Sequence, residues 1–304
     1  MYLHRDRETF KDMVEQAADS SGRTPAVVEK DYYVTLILKL LSEQLAECVF
    51  KGGTSLSKGF HVIDRFSEDI DITFKEHIGE SRRKKLKNVV LKGISEELGM
   101  PVANWEETQS DRDYNAYLFS YESVFVLQDD RLPQYVKLET SLGSYSFPTQ
   151  TVEIRNYIGD YLEGRGREDL AEQFSLGRFS MNLQSLDRTY IDKVFALCDY
   201  YLQGKSKRYS RHLYDIYKLT PLIEFNDGFA VLVREVREHR SKMRICPSAD
   251  EKVNIPAVIF EFCDNDFYRE DYQAITDYFA EDVVSYDDVI GQMRMLAASN
   301  LFAK

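Results

Sequence analysis

Lys51-Gly52-Gly53-Thr54-Ser55 and, after a short interval, Ser67-Glu68-Asp69-Ile70-Asp71-Ile72 are the segments from which the rest of the chain can be read. Ahead of the glycines, Cys48-Val49-Phe50 is a short apolar run that suits a buried strand ending in a turn. Gly52 and Gly53 allow backbone amides to approach a triphosphate, and Thr54 or Ser55 can add a hydroxyl and begin a helix. Gly-Gly-Thr is also an ordinary strand-to-helix connection. Downstream, residues 70–74 read as a second strand. Side chains alternate across a strand, so Asp69 and Asp71 project to one face while Ile70 and Ile72 fill the other. Carboxylates so placed can share a hard divalent cation, which phosphoryl transfer needs. An edge strand with one solvated face would show the same alternation.

Working outward, residues 7–19 and a longer stretch ending near Ala46 read as helices, with Thr24 as N-cap and Pro25 at the first helical position. Val27, Val28, Tyr32, Leu36, Leu40 and Leu41 recur at helical spacing and predict a core-facing stripe. Residues 80–97 predict an amphipathic helix with Leu86, Val89, Val90, Ile94 and Leu98 on one face. Strands are predicted at 114–121, 134–140 and 151–155. Beyond these, helical periodicity takes over at 183–202, 210–219, 228–240 and in several stretches from 255 to 302. The expected fold is α+β: a mixed-sheet lobe with flanking helices over 1–165, and an α-helical lobe over 166–304. Gly159, Gly164, Gly166 and Gly177 loosen the pattern around that boundary.

The chain has 304 residues, 43% of them hydrophobic and 30% charged, the composition of a folded protein. Its formal net charge of -12 argues against a protein that coats nucleic acid by bulk charge, while leaving room for local basic surfaces. Cys48, Cys198, Cys246 and Cys263 form no CxxC pair and read as reduced core thiols. The amino terminus lacks a signal-peptide pattern and no apolar run approaches a membrane span, so a cytoplasmic location and no membrane partner are expected.

Strand, Gly-Gly-Thr, short helix and Asp-x-Asp in that order resemble the DNA polymerase beta type nucleotidyltransferases. More narrowly, Glu29-Lys30-Asp31-Tyr32, Lys51-Gly52-Gly53-Thr54-Ser55-Leu56-Ser57-Lys58 and Phe66-Ser67-Glu68-Asp69-Ile70-Asp71 resemble the AbiEii/AbiGii toxin family, with the likeness running from near residue 25 to about 220. The interval between Gly53 and Asp69 is longer than in many members of the wider superfamily. The resemblance implies transfer of a nucleoside monophosphate from a nucleoside triphosphate (NTP) with release of pyrophosphate. It implies Mg2+ or Mn2+ at Asp69 and Asp71, and phosphate oxygens against Gly52, Gly53, Thr54 and Ser55. It further implies an RNA acceptor, with a transfer RNA (tRNA) 3′ end foremost, and growth arrest countered by a separately encoded antitoxin. A small-molecule nucleotidyltransferase of the antibiotic-modifying kind, or a regulatory protein that kept the fold without the chemistry, are the alternatives.

Lys137 and Glu139 alternate on a predicted strand and can share the face of the aspartates if the strands are neighbours. In the family a strand lysine at the place of Lys137 is taken to contact the nucleotide, and Glu139 could complete a carboxylate triad; a surface ion pair is the plainer reading. Asp192-Lys193 and Arg211 to Asp215 match later motifs of the family. Lys193 could reach phosphates as a point charge with Asp192 orienting it or binding at the site, while Arg211 could pair with Asp215 four residues on or be aimed inward. Two basic stretches could hold RNA or be solvated helix faces: Arg82-Arg83-Lys84-Lys85 with Lys87, and Arg234, Arg237, Arg240, Lys242 and Arg244. His61 and His212 show no ligand spacing.

Overall fold

The strand expected before the glycines forms as β1 (Cys48–Lys51), an inner strand of a six-stranded sheet. The computed structural model describes residues 1–65, 67–125, 132–279 and 283–303, the side chains of 275–279 excepted; Phe66 of the quoted motif and residues 280–282 of the last helical stretch lie outside the described residues. The chain divides into two compact units, Met1–Gly59 with Glu68–Leu183, and Phe60–Ser67 with Gln184–Lys304.

In the first unit, α1 (Arg7–Ser21) and α2 (Pro25–Gln44) precede β1, and α3 (Gly52–Lys58) follows it. Next come β2 (Ile70–Phe74), α4 (Glu80–Lys85), a π-helical turn (Leu86–Leu91) and α5 (Lys92–Leu98). β3 (Tyr114–Ser120), β4 (Tyr135–Ser141), β5 (Thr149–Ile154), α6 (Tyr157–Gly164), α7 (Glu168–Gln173) and β6 (Phe179–Gln184) complete it. The strand order is β3-β4-β2-β1-β6-β5. β2 lies antiparallel to β1 and parallel to β4, β3 is antiparallel to β4, and β1 is parallel to β6. The fold is α+β, as expected.

Thr24 caps α2 by accepting a hydrogen bond from the Val27 amide, with Pro25 at the first turn. Val28, Tyr32, Leu36, Ile37 and Leu41 are buried, each contributing about 1.5–3 kcal/mol by removal from water. The expected amphipathic helix at 80–97 is interrupted by the π turn, whose wider winding shifts the buried face. Leu86, Val90, Leu91, Ile94 and Leu98 are buried, whereas Val89, expected among them, is 60% exposed.

β6 was not expected from the sequence. Only Met181 and Leu183 point inward with an apolar side chain, and the strand forms by pairing with distant β1 at Val49↔Asn182 and Phe50↔Leu183. Leu183 leaves no room for a side chain on Gly59: a Cβ there would stand 2.2 Å from Leu183 Cδ2.

The second unit is helical beyond β6: α8 (Leu186–Leu202), α9 (Arg211–Leu219), α10 (Asp227–Ser241), α11 (Ile255–Asp264), α12 (Arg269–Phe279) and α13 (Tyr286–Ala298). Ser185, Asn226, Asn254 and Ser285 cap α8, α10, α11 and α13 with their side chains. The segment Phe60–Ser67 belongs to this unit. Arg65 pairs with Asp215, the Tyr214 hydroxyl accepts from the Asp64 amide at 3.4 Å, and Lys218 lies 3.6 Å from Asp64. The long interval between Gly53 and Asp69 thus holds a segment anchored on α9. All four cysteines are buried and unbridged. No helix among the described residues is long and apolar enough to cross a membrane.

Candidate functional site

The register of β1, β2 and β4 sets Lys51 beside Asp71 and Asp71 beside Glu139. On β4 the alternation buries Val136, Leu138 and Thr140 and leaves Lys137 and Glu139 on the opposite, half-exposed face. Lys137 Nζ lies 2.9 Å from Asp69 Oδ2 and 2.7 Å from Glu139 Oε1. Asp69, Asp71, Lys137 and Glu139 are therefore brought together, Asp71 and Glu139 by the pairing of β2 with β4 and Asp69, just ahead of β2, by its contact with Lys137.

Gly52 opens α3 with φ +82°, a left-handed backbone that favours glycine, and a Cβ there would meet Asp71 Oδ2 at 2.1 Å. The glycine turn and the second aspartate are thus in direct contact. Gly52 and Gly53 remain partly exposed, whereas Thr54 and Ser55 are buried, and the Ser55 hydroxyl donates to the Gly52 carbonyl at 2.9 Å. The hydroxyl offered by the sequence at Ser55 holds the turn together from inside.

Three acids crowd this face. Burial, then the charge of Glu139, pushes the Asp71 carboxyl up to about 7 against the opposing pull of Lys51. Burial acts on Glu139 in the same sense but is outweighed by hydrogen bonds and charge from Lys137, so Glu139 is held below its ordinary value. For Lys137 burial favours the neutral form, and the two carboxylates prevail and raise its pKa. The Asp71–Glu139 couple thus takes up a proton at a higher pH than an ordinary carboxylate, with Lys137 against Glu139 and Asp69.

Two neighbours were given no role at the site by the sequence. The Tyr114 hydroxyl, at the start of β3, donates to Glu139 Oε1 at 3.0 Å while its ring stays 54% exposed. Buried Lys30 pairs with Glu68, donates to the Pro133 carbonyl at 2.9 Å and lies 5.6 Å from the Tyr135 ring centroid. The block Glu29-Lys30-Asp31 is a set of buried clamps. Glu29 accepts from the Ser123 hydroxyl and the Val124 amide, and Asp31 pairs with Lys58 at 2.5 Å and accepts from the Tyr157 amide. Acidic and basic residues on a strongly apolar helix were the available signal, since buried charges require partners.

In the second unit the residues from the later motifs fall into two groups. Lys193 Nζ lies 2.6 Å from Asp215 Oδ2, and Arg65 engages both oxygens of Asp215. Arg211 does not pair with Asp215 as its spacing had suggested; its buried Nε has no hydrogen-bond partner among the described residues. Asp192 turns to other partners than Lys193: it accepts from Arg188 Nε at 3.0 Å, Gln184 Nε2 at 3.1 Å and Arg240 Nη1 at 3.1 Å.

Half of the basic residues in the two stretches lie against acids, and two more bind backbone carbonyls. Arg82 pairs with Glu47 and Glu76, Arg83 with Asp113, and Lys84 with Glu80, while Lys87 donates to the Trp105 and Thr108 carbonyls. Arg237 donates to the carbonyls of Ala249, Asp250 and Val253, Arg240 binds Asp192 and Asp199, and Lys242 pairs with Glu238.

A family profile described as nucleotidyl transferase AbiEii toxin, type IV toxin–antitoxin system, matches residues 37–291. The chain belongs to the AbiEii family. It is accordingly a nucleotidyltransferase, and its family consists of toxins from systems that include a separate antitoxin. The match takes in the glycine turn, Asp69 and Asp71, Lys137 and Glu139, and the Lys193 and Asp215 cluster. No curated protein matches the chain.

Proposed function

We propose that this AbiEii family member transfers a nucleoside monophosphate from an NTP to an acceptor hydroxyl, releasing pyrophosphate, with Asp69, Asp71 and Glu139 holding Mg2+ or Mn2+. The observation that carries the metal assignment is the juxtaposition of Asp71 with Glu139 and Gly52, with Asp69 beside them on Lys137. These are hard oxygen donors, and the raised proton affinity of Asp71 and the ammonium of Lys137 both reflect the negative charge gathered on this face. Among the described residues no three His, Cys, Asp or Glu side chains stand as a ligand set, and Lys137 lies against both Asp69 and Glu139, so these carboxylates would hold a cation with its charge replacing that of the ammonium. A divalent cation held there supplies charge neutralisation at the triphosphate.

The chain's own residues supply the remainder. The partly exposed turn at Gly52 and Gly53 lets phosphate oxygens come close to the backbone, beside Thr54 and Ser55, which set the shape of the turn. Lys137 meets the charge that moves toward the pyrophosphate as the acceptor oxygen bonds to the α-phosphorus and the bond to the β-phosphate oxygen breaks. Asp192 acts in support, fixing α8 through Arg188, Gln184 and Arg240.

The acceptor we favour is RNA, with a tRNA 3′ end foremost, and the biological effect is growth arrest in the cytoplasm relieved by the cognate antitoxin; the toxin–antitoxin description of the family supports the toxin and antitoxin part. A small-molecule acceptor is the second reading, favoured by the acids against Arg82, Arg83, Lys84 and Lys242, which lower the charge these stretches offer to an RNA backbone. Incubation with each labelled NTP, total RNA and a small-molecule extract, beside Asp69→Ala, separates the readings. Label in small RNA with the parent protein alone supports RNA, and label only in low-mass products supports the second reading. Equal labelling by Asp69→Ala would remove the assigned metal site.

A further inference from the structure

One row of register partners crosses four strands of the sheet. Lys51 on β1 lies opposite Asp71 on β2, Asp71 opposite Glu139 on β4, and Glu139 opposite Ala116 on β3. Neighbouring strands stand about 4.8 Å apart, so the row runs roughly 14 Å from Lys51 to Ala116. β3 buries Asn115, Tyr117 and Phe119 and turns Tyr114, Ala116 and Leu118 to the face that carries Lys137 and Glu139. Leu118 lies opposite Lys137, and Tyr114 opposite Ser141. The charged residues of β2 and β4 are therefore bordered by a strip in which a small alanine stands between two larger, largely apolar side chains.

Tyr114 is the open member of that strip, 54% exposed. Its hydroxyl donates to Glu139 Oε1 at 3.0 Å, which ties the tip of the ring to the acidic face and leaves the ring in contact with solvent. An anchored aromatic ring left in water is a surface on which a second flat ring can stack, removing apolar area from water on both sides.

The direction of the row decides which ring that is. In phosphoryl transfer the attacking and leaving oxygens lie roughly in line, on opposite sides of the phosphorus. With the leaving pyrophosphate at Gly52 and Gly53, directly after Lys51 at one end of the row, the attacking oxygen arrives from the other end, at β3. We propose that Tyr114, flanked by Ala116 and Leu118, is the platform on which the terminal base of the RNA acceptor stacks, presenting the terminal ribose hydroxyl to the α-phosphorus. The inference rests on the RNA-acceptor reading above and adds the residues that receive the acceptor. Stacking on an aromatic face tolerates any base, because every base has a flat face, and Ala116 and Leu118 have no hydrogen-bonding side chain. The strip therefore selects for the presence of a terminal base and not for its identity.

Labelling of total small RNA by the full chain, with KM measured separately for RNA and for the NTP and melting temperatures in parallel, tests this in Tyr114→Phe, Tyr114→Trp and Tyr114→Leu. All three lack the hydroxyl that holds Glu139, so Tyr114→Phe is the reference and the differences among them read the ring alone. Tyr114→Leu is expected to raise the KM for RNA about tenfold over Tyr114→Phe, with Tyr114→Trp within about threefold of it. The KM for the NTP should agree within about twofold across the three. Equal KM for RNA in Tyr114→Phe and Tyr114→Leu would overturn the inference, and so would an equal rise in the KM for the NTP, which would place the ring under the nucleotide or mark a disturbed site. If the parent labels no RNA, whether inactive or labelling only low-mass products, the RNA-acceptor reading fails and the inference falls with it.

Discussion

Gly52 and Asp71 are in contact across the β1–β2 register, with no room for a methyl group between the glycine Cα and the carboxylate. Gly52→Ala meets two penalties: a left-handed backbone costs a side-chain-bearing residue about 1–2 kcal/mol, and the Cβ displaces Asp71 from Glu139. The variant is expected to fold with a lower melting temperature and to lose most of its transfer activity, measured by thermal unfolding and by label incorporation. Activity equal to the parent would show that Asp71 need not stand where it does.

Tyr114 holds Glu139 by one hydroxyl. Tyr114→Phe keeps the ring and removes a bond to a charged acceptor worth about 1.5–3 kcal/mol at most, less here because the ring is half exposed. Melting temperature should change little while Mn2+ affinity, followed by calorimetry without turnover, shifts several-fold. An unchanged affinity would make Tyr114 irrelevant to the orientation of Glu139.

The Asp31–Lys58 pair ties α2 to α3 within the first unit, and Lys58 also donates to the Arg155 carbonyl at 3.1 Å. Removing one partner of such a buried pair costs about 3–5 kcal/mol, whereas the solvent-screened i,i+4 pair of Glu80 and Lys84 contributes little. Urea unfolding of Lys58→Ala and Lys84→Ala should show that contrast. Similar midpoints for both would mean that the buried clamp contributes no more than a surface pair.

His212 provides a pH signature. Burial first, then the charges of Lys193 and Arg211, hold its pKa well below 6.5, so the folded protein keeps it neutral while the unfolded chain protonates near 6.5. The unfolded state then binds more protons below that pH, and stability falls as pH drops through 6.5 and is flat above it, with a limiting slope of about 1.4 kcal/mol per pH unit for one group. His4 and His239 are lowered in the same way, so the comparison is with the parent. His212→Gln should reduce the slope between pH 5 and 6.5, in denaturant titrations, by roughly one proton's worth. An identical slope in the variant would contradict a buried neutral imidazole.

Much of the first half of the site was legible because strand alternation is a strict geometric rule. With Asp71 on one strand, Asp69 just ahead of it, and Lys137 and Glu139 on another, only the pairing of β2 with β4 was needed to join them. What the sequence concealed depends on distant partners. β6 exists through β1, the π turn moves Val89 to the surface, and Tyr114 and Arg65 matter for what they bind. Asp192 shows the converse: adjacent to Lys193 in sequence, it faces Arg188 and Arg240, since neighbours on a helix point in different directions.

The central claim is nucleotidyl transfer at the acidic face of β2 and β4. It is tested most directly by comparing NTP labelled at the α-phosphate with the same NTP labelled at the γ-phosphate, using the parent protein and Asp71→Asn with total RNA. The account predicts label in RNA from the α-labelled nucleotide only, and a rate at least about a hundredfold lower in Asp71→Asn, the cost of losing several kcal/mol of transition-state charge stabilisation. Label carried over from the γ-phosphate, or a parental rate in Asp71→Asn, would contradict it.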